Sequence, residues 1–218
     1  MLNTERHFSL DFSVEYYFPT LVFNFEVKNA EAVNEYLVDA IRKLKASDKA
    51  GIERSNFRAL GGWHSRNDLH TNERFDRLTK LINHAADKIS SQLGYDTETE
   101  LVIGSMWSII NPPGGTNRSH IHPNSHWSGV YYVQAPENCG DIEFTDPRTE
   151  HVMNEPSFEP GKSRGKENWT KVRFTPRAGK MLLFPSWLYH GVHPNCSEFL
   201  GLEGERIIVS FNLSQRKR

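Results

Sequence analysis

Cysteines and long apolar runs are scarce in this 218-residue sequence, and neither sign of charge is in excess. Its two cysteines, Cys139 and Cys196, are too few for the disulfide framework of a small secreted protein and fit a reducing compartment. The 26 basic and 27 acidic residues nearly balance, which argues against broad electrostatic binding to nucleic acid or an anionic membrane. No run approaches the roughly 20 apolar residues that cross a bilayer, and Met1–His7 lacks the apolar region of a secretory signal. We therefore expect a cytoplasmic protein that binds neither membranes nor nucleic acid.

The overall composition is that of a folded globular chain, with 37% hydrophobic and 24% charged residues. A chain of this length can bury a core without metal or disulfide support. We expect residues 1–218 to form one domain. In this prediction residues 1–100 are a helical and β supporting region, and residues 101–214 are the β-rich core that carries the functional site.

Two segments before residue 95 have the spacing of amphipathic helices. Apolar residues recur every three or four positions in Ala30–Ala46 and again in Asn72–Leu93, and Gly94 is placed to end the second helix. Thr20–Val27, ahead of the first helix, is typical of a strand.

After Gly94 the sequence becomes a series of short β-rich runs separated by Gly, Pro, Asn and Asp, which indicates an antiparallel sandwich or barrel. We expect the two helices to pack on the outer face of one sheet, giving an α+β fold that is mainly β. The long segment Pro147–Trp169 is predicted to be either a lid or binding loop or a disordered stretch. The predicted strands are Leu101–Ile110, Trp127–Gln134, Asp141–Thr145, Thr170–Thr175, Lys180–Phe184 and Arg206–Leu213.

Histidine is the unusual component, since five of the ten histidines fall in two short windows. His120 and His122 directly precede a predicted strand, and residues i and i+2 of an extended segment project to the same side. His190 follows a distant strand, so all three imidazoles can meet at the mouth of a barrel and hold a metal ion. His126 and His193 could support such a site, face a substrate or simply be exposed.

The last predicted strand has one apolar face, and its other face begins with Arg206 and continues through Ile208, Ser210 and Asn212. Two interpretations of this second face are open. It either faces solvent, or it points into a polar barrel interior, where the planar fork of Arg206 would bind a carboxylate.

The ordered motifs between Trp107 and Leu213 resemble those of the Fe(II)- and 2-oxoglutarate-dependent oxygenases, and in particular a bacterial and phage branch of that superfamily. The piece Gly62–Ser65 also looks typical of this branch and is expected near the cavity. The resemblance implies a double-stranded β-helix, the cupin-like jelly roll, with helices backing one sheet. The matching motifs are Asn111–Gly115, His120–Ser125, Ser128–Tyr132, Asp146–Arg148, Gly179–His190 and Arg206–Asn212.

By this resemblance His120 and His190 are iron ligands, and Arg206 holds the far carboxylate of 2-oxoglutarate. The general family has Asp or Glu two residues after the first histidine, whereas this sequence has His122. Either the site uses three histidines, or Asp146 supplies the carboxylate, or His122 replaces His120 as the first ligand. The residues expected to orient the co-substrate are Asn111, Tyr131, Tyr132 and Ser210.

The implied reaction uses O₂ and Fe(II) to convert 2-oxoglutarate into succinate and CO₂ while a C–H bond of a small molecule or peptide is hydroxylated. One alternative is a cupin-like metalloenzyme that does not use 2-oxoglutarate, which the third histidine favours. A second alternative is a non-catalytic jelly-roll binding module. In that case the histidines are incidental.

Overall fold

The computed structural model describes residues 11–218, so the segment Met1–His7, where we expect no signal sequence, lies outside the described residues. Ten strands and four α-helices follow one another in this part of the chain. The helices are α1 Glu31–Ser47, α2 Ala50–Arg54, α3 Asp76–Leu93 and α4 Thr149–Met153. The strands are β1 Phe23–Glu26, β2 Trp63–His64, β3 Thr99–Asn111, β4 Asn117–His120, β5 Trp127–Gln134, β6 Ile142–Thr145, β7 Lys171–Phe174, β8 Lys180–Pro185, β9 His190–Val192 and β10 Arg206–Lys217.

The strands form two antiparallel sheets. One has six strands in the order β1-β8-β5-β10-β3-β2, and the other has four in the order β4-β9-β6-β7. The long strand β10 pairs with β3 on one side and with β5 on the other, so it forms the centre of the larger sheet. Two antiparallel sheets with non-sequential strand order are the jelly-roll arrangement expected from the sequence.

Helices α1 and α3 cover the outer face of the six-stranded sheet. Their buried side chains, including Leu37 and Ile41 of α1 and Ile82 of α3, join Val209 and Phe211 of β10 in one apolar cluster. Burial of these apolar surfaces is the main stabilising contribution that fixes the helices on the sheet. The predicted packing of the helices on one sheet is therefore confirmed.

Helix α3 begins four residues later than its apolar spacing predicts. The side chain of Asn72 accepts a hydrogen bond from the backbone N–H of Arg74, and residues Glu73–Phe75 form a 3-10 turn before the α-helix. The helix ends as expected, with Gly94 in the left-handed conformation at φ +65°.

The inner faces of the two sheets enclose a second apolar cluster, which includes Val130, Tyr132, Phe144 and Ile208. The face of β10 that starts with Arg206 points into this space between the sheets, because its alternate residues belong to the helix-facing cluster. The solvent-facing interpretation of that face is therefore wrong.

Several short elements are absent from the sequence prediction, among them β2, β4, β9 and α2. The segment Pro147–Trp169 contains α4 and a 3-10 turn at Lys166–Asn168, and most of its residues are exposed. Within residues 11–218, no helix combines the length and apolar character needed to cross a membrane.

Candidate metal centre

A cavity of about 880 Å³ opens between the two sheets. Its walls come from alternate residues of β3, β5 and β10 on one side and from β4, β6 and β9 on the other. Apolar side chains such as Val130, Ile142 and Phe184 form much of the wall, and polar groups gather at particular points. A concave site that combines apolar walls with convergent polar groups is the usual form of a small-molecule site.

Three histidines meet in this cavity and form what we call the three-histidine cluster, namely His120, His122 and His190. His120 ends β4 and is the register partner of His190 on β9, and His122 follows two residues later. Each residue offers a ligand atom, and these atoms lie within 4.8 Å of one another. The sequence prediction that two strand ends bring three imidazoles to one point is therefore confirmed as a matter of geometry.

The hydrogen bonds of the cluster fix which ring nitrogen faces the common point. The Nδ1 atoms of His120 and His190 lie 2.7 and 2.9 Å from the carbonyl oxygens of Arg118 and Leu188. The Nδ1 of His122 lies 2.8 Å from Oδ1 of Asn212. Because these oxygens only accept, each Nδ1 carries the proton and donates it, which leaves each Nε2 with a free lone pair.

The protonation state of the cluster also suits metal binding. Burial lowers the pKa of His190 to about 3, and burial likewise lowers the pKa of His122. A neutral imidazole is the form that binds a metal ion. The Nε2 of His122 is buried and has no hydrogen-bond partner among the described residues, so this atom lacks the partner that a metal ion would provide.

The position of His122 is held by a chain of polar groups that reaches across the barrel. Oδ1 of Asn212 accepts from both His122 and Ser128, and the Ser128 and Ser186 hydroxyl groups lie 2.8 Å apart. The backbone N–H of His122 donates to the carbonyl of Ser186 at 2.9 Å. Partners that orient a ligating histidine in this way are a common feature of metal sites.

The structure does not bring Asp146 into the cluster, which corrects the alternative in which its carboxylate completes the triad. Both oxygens of Asp146 accept hydrogen bonds elsewhere, from Arg148 and from His151. The hydrogen bonds from Arg148 hold the pKa of Asp146 well below its usual range. Its carboxylate is therefore already committed to a local ion pair.

Arg206 lies in the same cavity and is only 1% exposed. Its Nη1 donates to the carbonyl oxygens of Cys139, Gly140 and His193, whereas its Nη2 is buried without a partner within residues 11–218. Burial lowers the pKa of Arg206, yet an arginine side chain remains a cation in proteins. No carboxylate of the described chain pairs with it, so the site holds an unneutralised buried charge with one free donor nitrogen.

Of the four residues expected to orient a co-substrate, two line the cavity and two do not. Ser210 and Tyr132 line the cavity. Tyr131 lies on the opposite face of β5, where its hydroxyl donates to Oδ1 of Asn34 at 2.6 Å, so its predicted role in the cavity is wrong. Asn111 stands behind the cavity wall and donates from Nδ2 to Oδ1 of Asn117, which corrects its expected direct contact.

An aromatic stack runs from the cavity mouth to the cluster. The rings of His64 and Trp107 lie 6.1 Å apart at 10°, and those of Trp107 and His122 lie 5.8 Å apart at 24°. The segment Gly62–Ser65 thus contributes His64 to the cavity, as expected, whereas Trp63 of the same segment is fully buried in the helix-facing core.

Several cavity residues have no role in the sequence prediction, namely Trp107, Asn117 and Arg118 as wall residues and Asn212 as the partner of His122. The alternation along β10 is the signal that could have assigned Asn212, because it shares a face with Arg206.

The two remaining clustered histidines lie outside the three-histidine cluster. His126 is exposed and accepts a hydrogen bond from the backbone N–H of Gln215. His193 pairs with Glu143 at 3.2 Å. Neither ring lines the cavity.

Comparison with known proteins agrees with this geometry. Residues 105–212, about half of the chain, match the model of the family described as "Putative 2OG-Fe(II) oxygenase". Through this match the protein belongs to the Fe(II)- and 2-oxoglutarate-dependent oxygenases. No curated protein matches the sequence closely enough to count as a relative.

Solved structures of low sequence identity share the fold. A prolyl-4-hydroxylase from Pseudomonas putida has a TM-score of 0.59 at 15% identity, over 91% of this chain and 94% of that one. The epimerase SnoN, in complex with Fe3+, alpha ketoglutarate and nogalamycin RO, has a TM-score of 0.60 at 14% identity, over 91% of this chain and 82% of that one. HygX from Streptomyces hygroscopicus, with nickel and 2-oxoglutarate bound, has a TM-score of 0.56 at 13% identity, over 89% of this chain and 83% of that one. These likenesses confirm the double-stranded β-helix.

Proposed function

We propose that the protein is a dioxygenase that uses Fe(II), O₂ and 2-oxoglutarate to hydroxylate a small molecule or peptide. One observation carries the proposal. The three-histidine cluster and the buried, unneutralised guanidinium of Arg206 line the same cavity, and each has a polar atom without a partner. A molecule with a metal-chelating 2-oxo acid at one end and a free carboxylate at the other would satisfy both.

In this proposal His120, His122 and His190 hold the metal ion through their Nε2 atoms. Three ligands on one face of the ion leave its other positions open to co-substrate and O₂. Bound Fe(II) supplies the redox chemistry in which 2-oxoglutarate is converted to succinate and CO₂ while a C–H bond is hydroxylated. The protein's own contribution is orientation, since each Nδ1 is fixed by an oxygen acceptor.

Arg206 holds the far carboxylate of 2-oxoglutarate through its free Nη2, while its Nη1 stays on the three backbone carbonyls that position it. A charged hydrogen bond in a buried site is strong, because little water competes for either partner. Tyr132, Ile208 and Ser210 also line this cavity. In the proposal the two hydroxyl groups would orient the carboxylates, and Ile208 would pack against the methylene carbons.

The proposal is tested by loading the protein with Fe(II) without oxygen, adding 2-oxoglutarate, and then measuring bound metal and succinate after exposure to air. We expect about one metal ion per chain and 2-oxoglutarate-dependent succinate formation. Arg206→Lys should bind the metal and lose most succinate formation, whereas Arg177→Lys, on the exposed surface, should retain both.

The two alternatives predict different outcomes of the same experiment. A cupin-like metalloenzyme, which the three neutral ligands favour, would bind the metal but show no 2-oxoglutarate binding and no succinate. A non-catalytic module would bind neither. If His190→Ala binds as much metal as the wild type, the three-histidine cluster is not the metal site, and both metalloenzyme hypotheses are contradicted.

A further inference from the structure

The walls of the cavity carry positive charge and no negative charge. Arg118 and Arg206 both line it, together with four histidines, and no aspartate or glutamate of residues 11–218 does so. Neutral histidines do not compensate a metal ion, so the charge balance of the site depends on what binds there.

The proposed ligands leave this balance incomplete. A divalent metal ion with Arg206 carries three positive charges, and 2-oxoglutarate supplies two negative ones. A carboxylate in the triad would supply the third, but that position is His122. One unit of positive charge therefore remains inside a cavity that has no acidic residue of the described chain in its walls, and the exposed Arg118 adds a second.

Arg118 itself has no partner in the described part of the chain. It lies on β4 two residues before His120, its side chain is exposed, and it forms no ion pair or side-chain hydrogen bond with residues 11–218. Most other arginines of residues 11–218 pair with a carboxylate, for example Arg148 with Asp146 and Arg177 with Glu26. An unpaired arginine at the mouth of a positively charged cavity is suited to binding an oxyanion.

Flat, partly exposed side chains line the same cavity as Arg118. Trp107 and His64 are stacked there and are partly exposed, and Phe57 also lines the opening. An aromatic or planar body can lie against such rings while a charged group contacts the arginine.

Resting on the proposed function, we propose that the second substrate is a small molecule bearing an oxyanion, with that group paired to Arg118 and its body against Trp107 and His64. The substrate would then supply the negative charge that the triad lacks. A neutral or cationic substrate would leave the positive charge of the cavity uncompensated.

The test uses protein loaded with Ni(II) and 2-oxoglutarate, in which no turnover occurs, and two probes of nearly equal shape, phenylacetate and phenylacetamide. Dissociation constants are measured by ligand-observed NMR. An ion pair at an exposed arginine is worth about 0.2–1 kcal/mol, so pairing with Arg118 should make the acid bind roughly 1.5- to 5-fold more tightly than the amide. Phenyl phosphate, as a third probe, distinguishes a carboxylate-selective site from a phosphate-selective one.

Two variants separate a local contact from a general charge effect. Arg118→Gln should remove the part of the acid's preference that this contact supplies and bring the Kd of the acid towards that of the amide. The Tm of this variant should be unchanged, because the side chain has no partner to lose within residues 11–218. Arg177→Gln makes the same change of net charge away from the cavity and should bind both probes like the wild type.

The results also distinguish this inference from the proposed function. Loss of Ni(II) or 2-oxoglutarate binding in the wild type overturns the proposed function itself. With both bound, the substrate inference is overturned by equal binding of acid and amide, by tight acid binding that persists in Arg118→Gln, or by no saturable binding of either oxyanion at millimolar concentration.

Discussion

Replacing Arg206 with lysine should weaken 2-oxoglutarate binding while leaving the metal site intact. The guanidinium has two separate tasks, because Nη1 is held by the carbonyls of Cys139, Gly140 and His193 while Nη2 is free. A lysine side chain ends in a single ammonium group, which cannot bind the backbone carbonyls and the ligand carboxylate in the same geometry. The charge is retained in Arg206→Lys, so any loss reports the second donor and not electrostatics in general.

The size of the effect follows from this one lost contact. A hydrogen bond to a charged group contributes about 1.5–3 kcal/mol, which corresponds to a Kd roughly 10- to 100-fold higher. At a ligand concentration about 100 times the wild-type Kd, binding adds about 2.7 kcal/mol to the free energy of unfolding, or roughly 5 to 10 °C in Tm for a protein of this size. The same concentration should add only about 0.4 to 1.4 kcal/mol to the free energy of unfolding of Arg206→Lys.

The assay is thermal unfolding of the Ni(II)-loaded proteins with and without 2-oxoglutarate. Arg177→Lys is the control, since it makes the same substitution at an exposed ion pair with Glu26. Metal content should be equal in all three proteins, because no residue of the three-histidine cluster is changed. If 2-oxoglutarate raises the Tm of Arg206→Lys as much as that of the wild type, Arg206 does not bind the carboxylate.

The metal ligands and the packing of the barrel give three further predictions. His122→Ala removes a ligand and should lose nearly all metal affinity, as measured by Ni(II) titration. Asn212→Leu keeps the imidazole and removes the oxygen that accepts from its Nδ1 and from Ser128, so its metal affinity should fall roughly 10- to 100-fold; equal losses would refute this order of roles. The pKa of His190 is about 3 in the folded state, whereas a free histidine has a pKa of about 6.5, so the unfolded state binds a proton first as the pH falls. The free energy of unfolding of the metal-free protein, measured in urea, should therefore fall between about pH 6.5 and pH 3. The fall should be smaller in His190→Gln, which lacks this group. A Cβ on Gly129 would lie 2.3 Å from a ring atom of Phe211 on the neighbouring strand, so Gly129→Ala should lower stability by about 1–3 kcal/mol. A Cβ on Gly104 would meet only Ser214 at 3.9 Å, so Gly104→Ala should not lower stability, and equal Tm values of the two variants would contradict this packing.

The long elements of the fold are predictable from the sequence because each repeats its pattern several times. Helix α3 has five turns of apolar spacing, and β10 has apolar residues at four alternate positions from Ile207 to Leu213, so chance agreement is small in both. Strands β2 and β9 have two and three residues, which is too short for any alternation to be visible. These strands exist only because longer neighbours offer them backbone hydrogen bonds.

The metal cluster is predictable for a similar reason, since His120 and His122 are close in sequence and His190 follows another predicted strand, a placement that the resemblance also implies. The two tyrosines of β5 show the limit of such reasoning. Nearly every residue of that strand is buried, so its two faces cannot be distinguished by polarity, and adjacent residues necessarily point to opposite faces. Which of Tyr131 and Tyr132 faces the cavity is decided by the pairing of β5 with β10.

The unsatisfied groups of the cavity are hard to explain as contributions to the fold alone. The Nε2 of His122 and the Nη2 of Arg206 are both buried without partners, and an unsatisfied buried polar group costs about 1–3 kcal/mol, more when it is charged. Well-packed apolar residues at both positions would avoid that cost. The two groups line one cavity, one beside two further histidines and the other facing no carboxylate of the described chain. A metal ion and a dicarboxylate bound together would remove both costs at once. Binding should therefore stabilise the protein more than either ligand does alone, and the metal-free protein should be the form in which these groups most destabilise the barrel.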